Sequence, residues 1–516
     1  MKLNYKRTIL VGFAFFLISA FWQAYDATIP VILTNKFGMS QTWSGVIMAL
    51  DNILAVFMLP VFGALSDKRE TKYGKRTPFI VRGTIVAALA FLCLSFVDLA
   101  QLNNIAQVAV IDDPAALEVI YDTQGDKELL TPEGDKFVLE DTFTKEDFTA
   151  IRMKTTDAAG KEFTDPNYTN YVSPARQAYA WEKTAENFIP LVLFVLLLLV
   201  VLVSMATFRS PAVALMPDVT VKPLRSKANA VINLMGTAGG ILVLVLGMVF
   251  STSAVRNALM SYTVFYSIIA AIMLGALAIF LLTVRETKWA AQMRDDSVKY
   301  GIEEAAEEGG EKRSLTAGEK KSLICILLSI ALWYFGYNAV TSKYAVYAGN
   351  ILDKDYNTTM LLAQAAAIIS YLPAGMVASK IGRKKTILAG IVMLTAAFGA
   401  AAFMRAESPT LLMNIFFALA GIAWATINVN SFPMVVEMCS GADIGKYTGF
   451  YYTASMTAQI ITPMLSGFLM DNAGMTVLFP YAAIFVALAF VTMSLVKHGD
   501  AKIIAKKGLE ALDVED

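Results

Sequence analysis

Residues 188–203 read FIPLVLFVLLLLVVLV, sixteen positions without a single charge. A helix apolar on every side must be buried in protein or in lipid. Comparable blocks recur on both sides of this run. Each is roughly 20 to 25 residues long, the length that crosses a hydrocarbon core about 30 Å thick at 1.5 Å per residue. Over its 516 residues the chain is 56% hydrophobic and only 17% charged, with a mean hydropathy of +0.55. A soluble protein carries about 25% charge. The chain reads as an all-α membrane protein.

Composition also excludes several function classes. Lys plus Arg equals Asp plus Glu at 43 each, so there is no electrostatic footprint for nucleic acid. Cys93, Cys325 and Cys439 lie in or beside apolar blocks, and no disulfide framework is implied. The one histidine, His498, sits near the C-terminus. The expectation is a protein that is no enzyme and carries no metal or cofactor. Lys2, Lys6 and Arg7 precede an apolar run that continues past Trp22 to Leu33. That is longer than a signal-peptide core and lacks a small-residue cleavage site, so it is read as a retained first membrane helix.

Twelve helices are predicted, at 8–34, 41–66, 78–100, 187–216, 226–251, 259–284, 320–347, 357–380, 386–404, 408–436, 443–470 and 476–497. The even-numbered loops are the basic ones: Lys68, Arg69, Lys72, Lys75 and Arg76; Lys222, Arg225 and Lys227; Lys380, Arg383, Lys384 and Lys385. By the positive-inside rule both termini are cytoplasmic in a multi-pass protein of the cell membrane. Residues 101–186 then fall outside, with 17 acidic and 8 basic residues. Turn punctuation at Gly125-Asp126-Lys127 and Pro132-Glu133-Gly134-Asp135, and aromatic residues such as Phe137, Phe148 and Tyr168, suggest a small folded α+β insert.

The halves read as repeats. Gly63-Ala-Leu-Ser-Asp67 followed by Gly74-Lys75-Arg76-Thr77 closes helix 2. Gly375-Met-Val-Ala-Ser379 followed by Gly382-Arg383-Lys384-Lys385-Thr386 closes helix 8, six helices later. Tyr25-Asp26-Ala27 is echoed by Tyr337-Asn338-Ala339, and Met216-Pro217-Asp218 more faintly by Val436-Glu437-Met438. The organisation expected is 1–100 plus 187–284 as one six-helix half, 101–186 as the insert, 285–318 as a cytoplasmic linker, 319–497 as the second half and 498–516 as a tail. Parallel six-helix repeats place a substrate cavity between the halves near the midplane.

The doubled Gly-x-x-x-Asp and basic-loop pattern resembles the signature loop of the major facilitator superfamily. Pro60-Val-Phe-Gly-Ala-Leu-Ser-Asp67, Gly74-Lys-Arg-Thr-Pro-Phe-Ile80, Leu215-Met-Pro-Asp-Val219 and Arg225-Ser-Lys-Ala-Asn-Ala230 look like its branch of sucrose transporters and glycoside–pentoside–hexuronide cation symporters. The resemblance covers every helix and omits the insert. It implies alternating access and sugar transport, often driven by protons or sodium ions. It puts the gate on Gly63, Asp67, Gly74, Lys75 and Arg76, with Arg209 and Asp218 on helix 4, and on Gly375 and Arg383 in the second half. Physically, Gly63 lets two helices approach closely, and Asp67 can face a helix N-terminus or a base such as Arg209. A purely topological role for the loop bases is the bland alternative.

Inside the membrane, Asp26 and Asp51 stand out. Both fall within about 8 Å of the midplane, at 1.5 Å per residue, on adjacent helices. An intramembrane carboxyl is a functional group by default, and these two are the proton-coupling candidates. Acceptance of neighbouring hydrogen bonds is the plainer role. Sodium-using relatives carry acids just ahead of the helix 2 proline. Here Ala55-Val56-Phe57-Met58-Leu59 stand there, which favours protons or uncoupled transport over sodium.

Trp22, Gln23, Tyr25 and Asp26 fall within one turn of helix 1. Tyr334, Tyr337, Asn338 and Thr341 share one face of helix 7. Aromatic faces for sugar C–H groups, with amides and carboxylates for hydroxyls, make these and Asp51 substrate candidates. Gln364, Trp424, Asn428, Tyr452 and Gln459 serve equally well as substrate contacts or interhelical hydrogen bonds. Arg209, Asn229 and Asn233 read as a gating or structural network, Tyr344 and Tyr347 as interface anchors, and Lys343 as a snorkelling base. The linker acids read as solvated surface. The expected function is proton-coupled symport of a di- or oligosaccharide or glycoside by a monomer in the lipid bilayer. The alternative is an exporter or carrier of another small organic substrate (a drug, lipid or organic anion) on the same fold.

Overall fold

Among the described residues, the apolar blocks between the polar loops fold as long helices. The computed structural model describes residues 3–156, 162–221, 224–253, 257–299, 315–436, 438 and 444–498. Residues 300–314 of the linker, the tail beyond His498, Glu437 and Cys439 lie outside them. Among the described residues are twelve long helices. In the first half they are α1 (Tyr5–Asn35), α2 (Gln41–Asp67), α3 (Thr77–Asn104), α4 (Ile189–Asp218), α5 (Arg225–Phe250) and α6 (Thr263–Thr283). In the second they are α7 (Ala317–Tyr347), α8 (Tyr356–Ile381), α9 (Arg383–Ala401), α10 (Thr410–Val436), α11 (Ile444–Ala473) and α12 (Leu478–Ser494). Ten helices are apolar enough to span a membrane by composition alone. The others, α8 and α11, carry more polar residues and sit where the halves meet.

The repeat read in the sequence reappears as packing. α1 packs on α5 and α6, α3 on α4 and α6, and α2 on α4. Six helices on, α7 packs on α11 and α12, α9 on α10 and α12, and α8 on α10. Each half has its own apolar cluster, built around Phe21, Phe91 and Tyr266 in the first and Trp333, Tyr344 and Phe479 in the second. The halves meet through α2 against α11 and α5 against α8, pairs that exchange under the same six-helix shift.

That meeting is tight at one end only. Near the start of α2, a methyl group on Gly45 would lie 2.0 Å from the Pro463 carbonyl oxygen, and one on Gly467 2.2 Å from that of Gln41. Bare glycine backbones are what allow this approach. At the far end of α2, Phe57 is 68% exposed and Val61 54%, and Tyr452 on α11 is 50% exposed. The molecule is therefore shut at the end holding the α1–α2 turn and spread at the end holding the Gly74 loop.

The insert covers the closed end. It contains helix Pro114–Gln124, the hairpin Leu129–Leu130 with Lys136–Phe137, a second hairpin Lys154–Thr156 with Glu162–Thr164, and helix Ser173–Glu186. Leu117, Ile120, Leu139, Phe148 and Val172 are buried in its own core. Gln177 donates to the Met39 carbonyl at 3.1 Å, fastening the insert to the α1–α2 turn. The tip of the first hairpin reaches the second half: Met475 N–H donates to the Pro132 carbonyl at 2.7 Å, and Arg405 pairs with Glu133 at 3.3 Å.

Three expectations are corrected here. Lys343 does not snorkel: it is fully buried and donates to the Gln41 carbonyl at 2.5 Å across the half–half joint. Tyr344 and Tyr347 are buried core residues rather than interface anchors, and Tyr344 donates to Thr359 at 2.8 Å. Helix α7 runs through the centre of its half, so its outer end meets protein rather than lipid. The sequence reading also passed over Lys36 and Asp98, fully buried ion-pair partners 2.5 Å apart that tie the end of α1 to α3.

Candidate functional site

Between the halves lies a cavity of about 840 Å³, within the size range of small-molecule sites. Helix α1 lines it with Ser19, Trp22, Gln23 and Asp26. Helix α4 adds Arg209; α5 adds Asn229, Asn233 and Thr237. The second half contributes Tyr337 and Thr341 from α7, Gln364 and Tyr371 from α8, and Trp424 and Asn428 from α10. Polar groups and aromatic faces thus converge from both halves.

The cavity floor lies toward the closed end. Gln364 Nε2 donates to Gln23 Oε1 at 2.6 Å, and Gln23 Nε2 donates to the Tyr356 hydroxyl at 3.3 Å. This chain crosses the joint between α1 and α8. On the second-half wall, Tyr337 stacks on Trp424 with ring centroids 3.7 Å apart and planes 7° from parallel. Tyr334 meets the same indole edge-on at 5.3 Å. The pair makes a flat, rigid aromatic wall.

The charged groups sit on the first half. Asp51 accepts from Asn52 Nδ2 at 2.8 Å and lies within electrostatic reach of Asp26 and Arg209. The Arg209 guanidinium lies 5.8 Å from the centroid of the Trp22 ring. Two carboxyls and one guanidinium therefore share the region where α1, α2 and α4 converge. A proton or a ligand arriving there alters the balance among all three.

The predicted substrate candidates divide. Trp22, Gln23, Asp26, Tyr337, Gln364 and Trp424 line the cavity. Tyr25, Asp51, Tyr334, Asn338 and Gln459 do not. Tyr25 is 1% exposed and stands behind Trp22, with ring centroids 5.3 Å apart. Tyr334 is hydrogen-bonded to Tyr451 behind Trp424. Asn338 Nδ2 is buried without a hydrogen-bond partner. Asn229 and Asn233, expected as a gating or structural network, line the cavity, and Asn233 Nδ2 donates to Asn229 Oδ1 at 3.0 Å. Tyr371, which the sequence reading did not single out, also lines it and is hydrogen-bonded to Asn428. No local signal marked Tyr371; only the rotation of α8 reveals it.

The gate residues also divide. Asp67 was given a helix N-terminus or a base such as Arg209 as partner; Arg209 lies nine residues before the end of α4, about 13 Å along the axis at 1.5 Å per residue. Asp67 is paired instead with Arg76, whose Nε also bonds Asp218 Oδ2 at 2.7 Å. Gly63 packs against α4, where a Cβ would lie 2.9 Å from Ser210 Oγ. Gly74 has φ +112°, and a Cβ there would lie 2.1 Å from the Glu286 carboxyl carbon. Gly375 lies one and a half turns before the end of α8, and Arg383 opens α9.

Glu286 itself was read as solvated surface. It is 5% exposed and accepts from the N–H groups of Lys75, Arg76 and Thr77 at 2.5, 2.9 and 2.8 Å, and from the Thr77 hydroxyl at 2.7 Å. It caps α3, where unsatisfied N–H groups favour an anion. This contact pins the helix Glu286–Lys299 beneath the Gly74 loop.

Comparison with known proteins gives a family setting. Residues 10–107 match the model described as "MFS/sugar transport protein", and residues 326–511 match that of the Major Facilitator Superfamily. Together they cover more than half of the chain. The "MFS-type transporter ppzB" of Metarhizium rileyi is 25% identical over 142 residues, 27% of this chain and 29% of that protein. "Sucrose transport protein SUC4" of Arabidopsis thaliana is 27% identical over 74 residues, 14% of each chain. In both cases the match spans less than a third of the relative's own length. The inward-open structure of the xylose transporter XylE from E. coli superposes with a TM-score of 0.58 at 14% identity, covering 99% of both chains.

Proposed function

Because the chain belongs to the major facilitator superfamily, we propose that it is a secondary active transporter that carries a di- or oligosaccharide or glycoside by alternating access. The observation that carries this reading is that the Tyr337–Trp424 stack lines the same cavity as Gln23, Asp26 and Gln364. An aromatic wall suits the C–H faces of a pyranose, and amides and a carboxylate suit its hydroxyls. A volume of about 840 Å³ has room for more than one ring. The family model with the sugar-transport description and the partial likeness to a sucrose transport protein support the same class.

Proton symport is the proposed mode, with Asp26 and Asp51 as the proton carriers. The apolar stretch Ala55–Leu59 ahead of Pro60 offers no carboxylate oxygen where a sodium ion would need one. Protonation of Asp51 would remove a charge within electrostatic reach of Arg209, and Asp26 in turn lies within reach of Asp51, so ion occupancy and cavity shape are linked. Both termini are assigned to the cytoplasm and the insert to the outside, from the basic even-numbered loops. On that assignment the present shape opens inward. The cavity lies within one chain, which suits a monomer.

A second reading is a carrier of an organic anion. Arg209, which lines the cavity, favours it, and Asp51 beside Arg209 weakens it. Uptake of radiolabelled sucrose, maltose and a pentoside into vesicles under an imposed proton or sodium gradient separates the readings. Proton-driven accumulation of one of these sugars is expected. No accumulation of any sugar under either gradient would sink the symporter reading.

A further inference from the structure

The insert is fixed to the first half. Gln101 Nε2 of α3 donates to the Lys36 carbonyl at 2.7 Å and to Thr184 Oγ1 of helix Ser173–Glu186 at 2.9 Å. Asn104 Nδ2 of α3 donates to the Lys183 carbonyl at 3.1 Å. In the α1–α2 turn Gly38 has φ +69°, and a Cβ there would lie 2.2 Å from the Trp181 nitrogen. Helix Ser173–Glu186 is thereby seated on the ends of α1 and α3. The first hairpin is seated on that helix in turn: strand Leu129–Leu130 packs against it, and Lys127 pairs with Glu182.

The tip of the hairpin, Thr131–Asp135, rests on the second half just past the end of α11. Within the tip, Thr131 N–H donates to the Asp135 carbonyl and Gly134 N–H to the Thr131 carbonyl, both at 2.9 Å. Gly134 and Gly474 meet back to back, with φ +99° and +82°, and a Cβ on Gly474 would lie 2.1 Å from the Glu133 carbonyl oxygen. Beside them runs the bond from Met475 N–H to the Pro132 carbonyl. The half-exposed Arg405–Glu133 pair adds little of its own. The seat is small: next to it a cavity of about 490 Å³ separates Phe163 and Asn170 of the insert from Lys354 and Glu407 of the second half. Yet it grips α11, the helix whose Gly467 and Asp471 close on the start of α2.

We propose that the hairpin tip Thr131–Asp135 is a latch: it must leave Gly474 and Met475 before the closed end can open, and its hold favours the shape seen here. The tip belongs to the body of the first half and its seat to the end of α11. Parting α2 from α11 at the closed end therefore pulls the two apart. A contact made in one shape and lost in the other shifts the population toward the first. One neutral hydrogen bond contributes modestly, so the latch biases the equilibrium and still allows release. The proposal rests on the alternating-access part of the functional reading and holds whatever the transported substrate is.

Thiol labelling inside the cavity, in right-side-out and inverted vesicles, tests it. Ala367 on α8 lines the cavity and is changed to cysteine in a background lacking the three native ones, and an impermeant maleimide is added. In the test variant Thr131–Asp135 is replaced by Asn-Gly, a turn that joins paired strands directly. Leu130 and Lys136, the pair flanking the tip, stay in place. Labelling from the insert side should become roughly fivefold faster or more, and labelling from the opposite side slower. An unchanged rate from the insert side overturns the proposal, and so does a rise from both sides, which would mark a loosened fold. Should the shortened protein fail to fold, Gly474→Ala decides by the same two rates, because it drives a methyl into the Glu133 carbonyl and leaves the insert's sequence intact. Labelling involves no substrate, so its outcome is separate from that of the sugar-uptake experiment.

Discussion

The carboxylate of Asp471 near the end of α11 caps the start of α2: its oxygens accept from the backbone N–H groups of Gln41 and Thr42, each at 2.7 Å. These are first-turn donors with no partner inside their own helix, and the opposite half of the molecule satisfies them. Lys343 on α7 holds the Gln41 carbonyl of the same turn. A helix terminus is thus the joint between the halves. On the α5–α8 side Asn357 Nδ2 donates to Thr252 Oγ1 at 3.1 Å, completing a polar seam.

Removing the cap should loosen that seam. Asp471→Ala leaves N–H groups and the Thr42 hydroxyl unpaired, at a cost on the order of 1–3 kcal/mol. Val31, beneath the closed end, is 7% exposed, and it can be replaced by a single cysteine in a background lacking the three native ones. Its labelling by an impermeant maleimide from the insert side should accelerate several-fold in the Asp471→Ala variant. An unchanged rate would show that the cap does not hold the joint.

The aromatic wall should govern affinity. Trp424→Ala removes both the Tyr337 stack and the edge contact with Tyr334. Losing a substrate-stacking ring typically costs about 0.5–1.5 kcal/mol beyond its area. The apparent KM for the transported sugar should therefore rise roughly tenfold, where 1.4 kcal/mol is one decade, with Trp424→Phe intermediate. If uptake kinetics of the Ala variant match those of the unmodified protein, the wall is only packing.

Coupling should separate from carriage. Asp26→Asn and Asp51→Asn keep shape and hydrogen bonding but cannot exchange a charge. Each is expected to abolish accumulation against a gradient while sparing energy-independent exchange of labelled for unlabelled sugar. Full proton-driven accumulation by both variants would remove the two acids from the coupling role.

The Gly74 loop should behave as a structural clamp. Gly74→Ala forces a Cβ into the Glu286 carboxylate at a positive φ, whereas Glu286→Gln keeps the shape and loses the charge. Hydrogen bonds to a charged acceptor contribute about 1.5–3 kcal/mol. Both variants should lower the unfolding temperature of the purified protein, the glycine change more. A Gly74→Ala protein as stable as its parent would mean the loop can relax around the added methyl.

The linear pattern was enough to read the twelve helices, the membrane class and the six-helix repeat. Apolar length against bilayer thickness is a one-dimensional quantity, and the Gly63–Asp67 and Gly375–Ser379 segments recur at matching helix ends. Membership of the cavity is different, because it depends on helix rotation and on contacts between residues as distant as Gln23 and Tyr356, separated by 333 positions. Tyr25 and Trp22 are three residues apart, yet one is sealed in the core and the other lines the cavity. Burial of Lys343, capping by Glu286 and the capping of α2 by Asp471 likewise arise only when separate helices meet. Charge and hydropathy could mark such residues as unusual in a membrane chain. Which of them pair, which face the cavity and which end of the molecule is shut were decided by the packing of one half against the other.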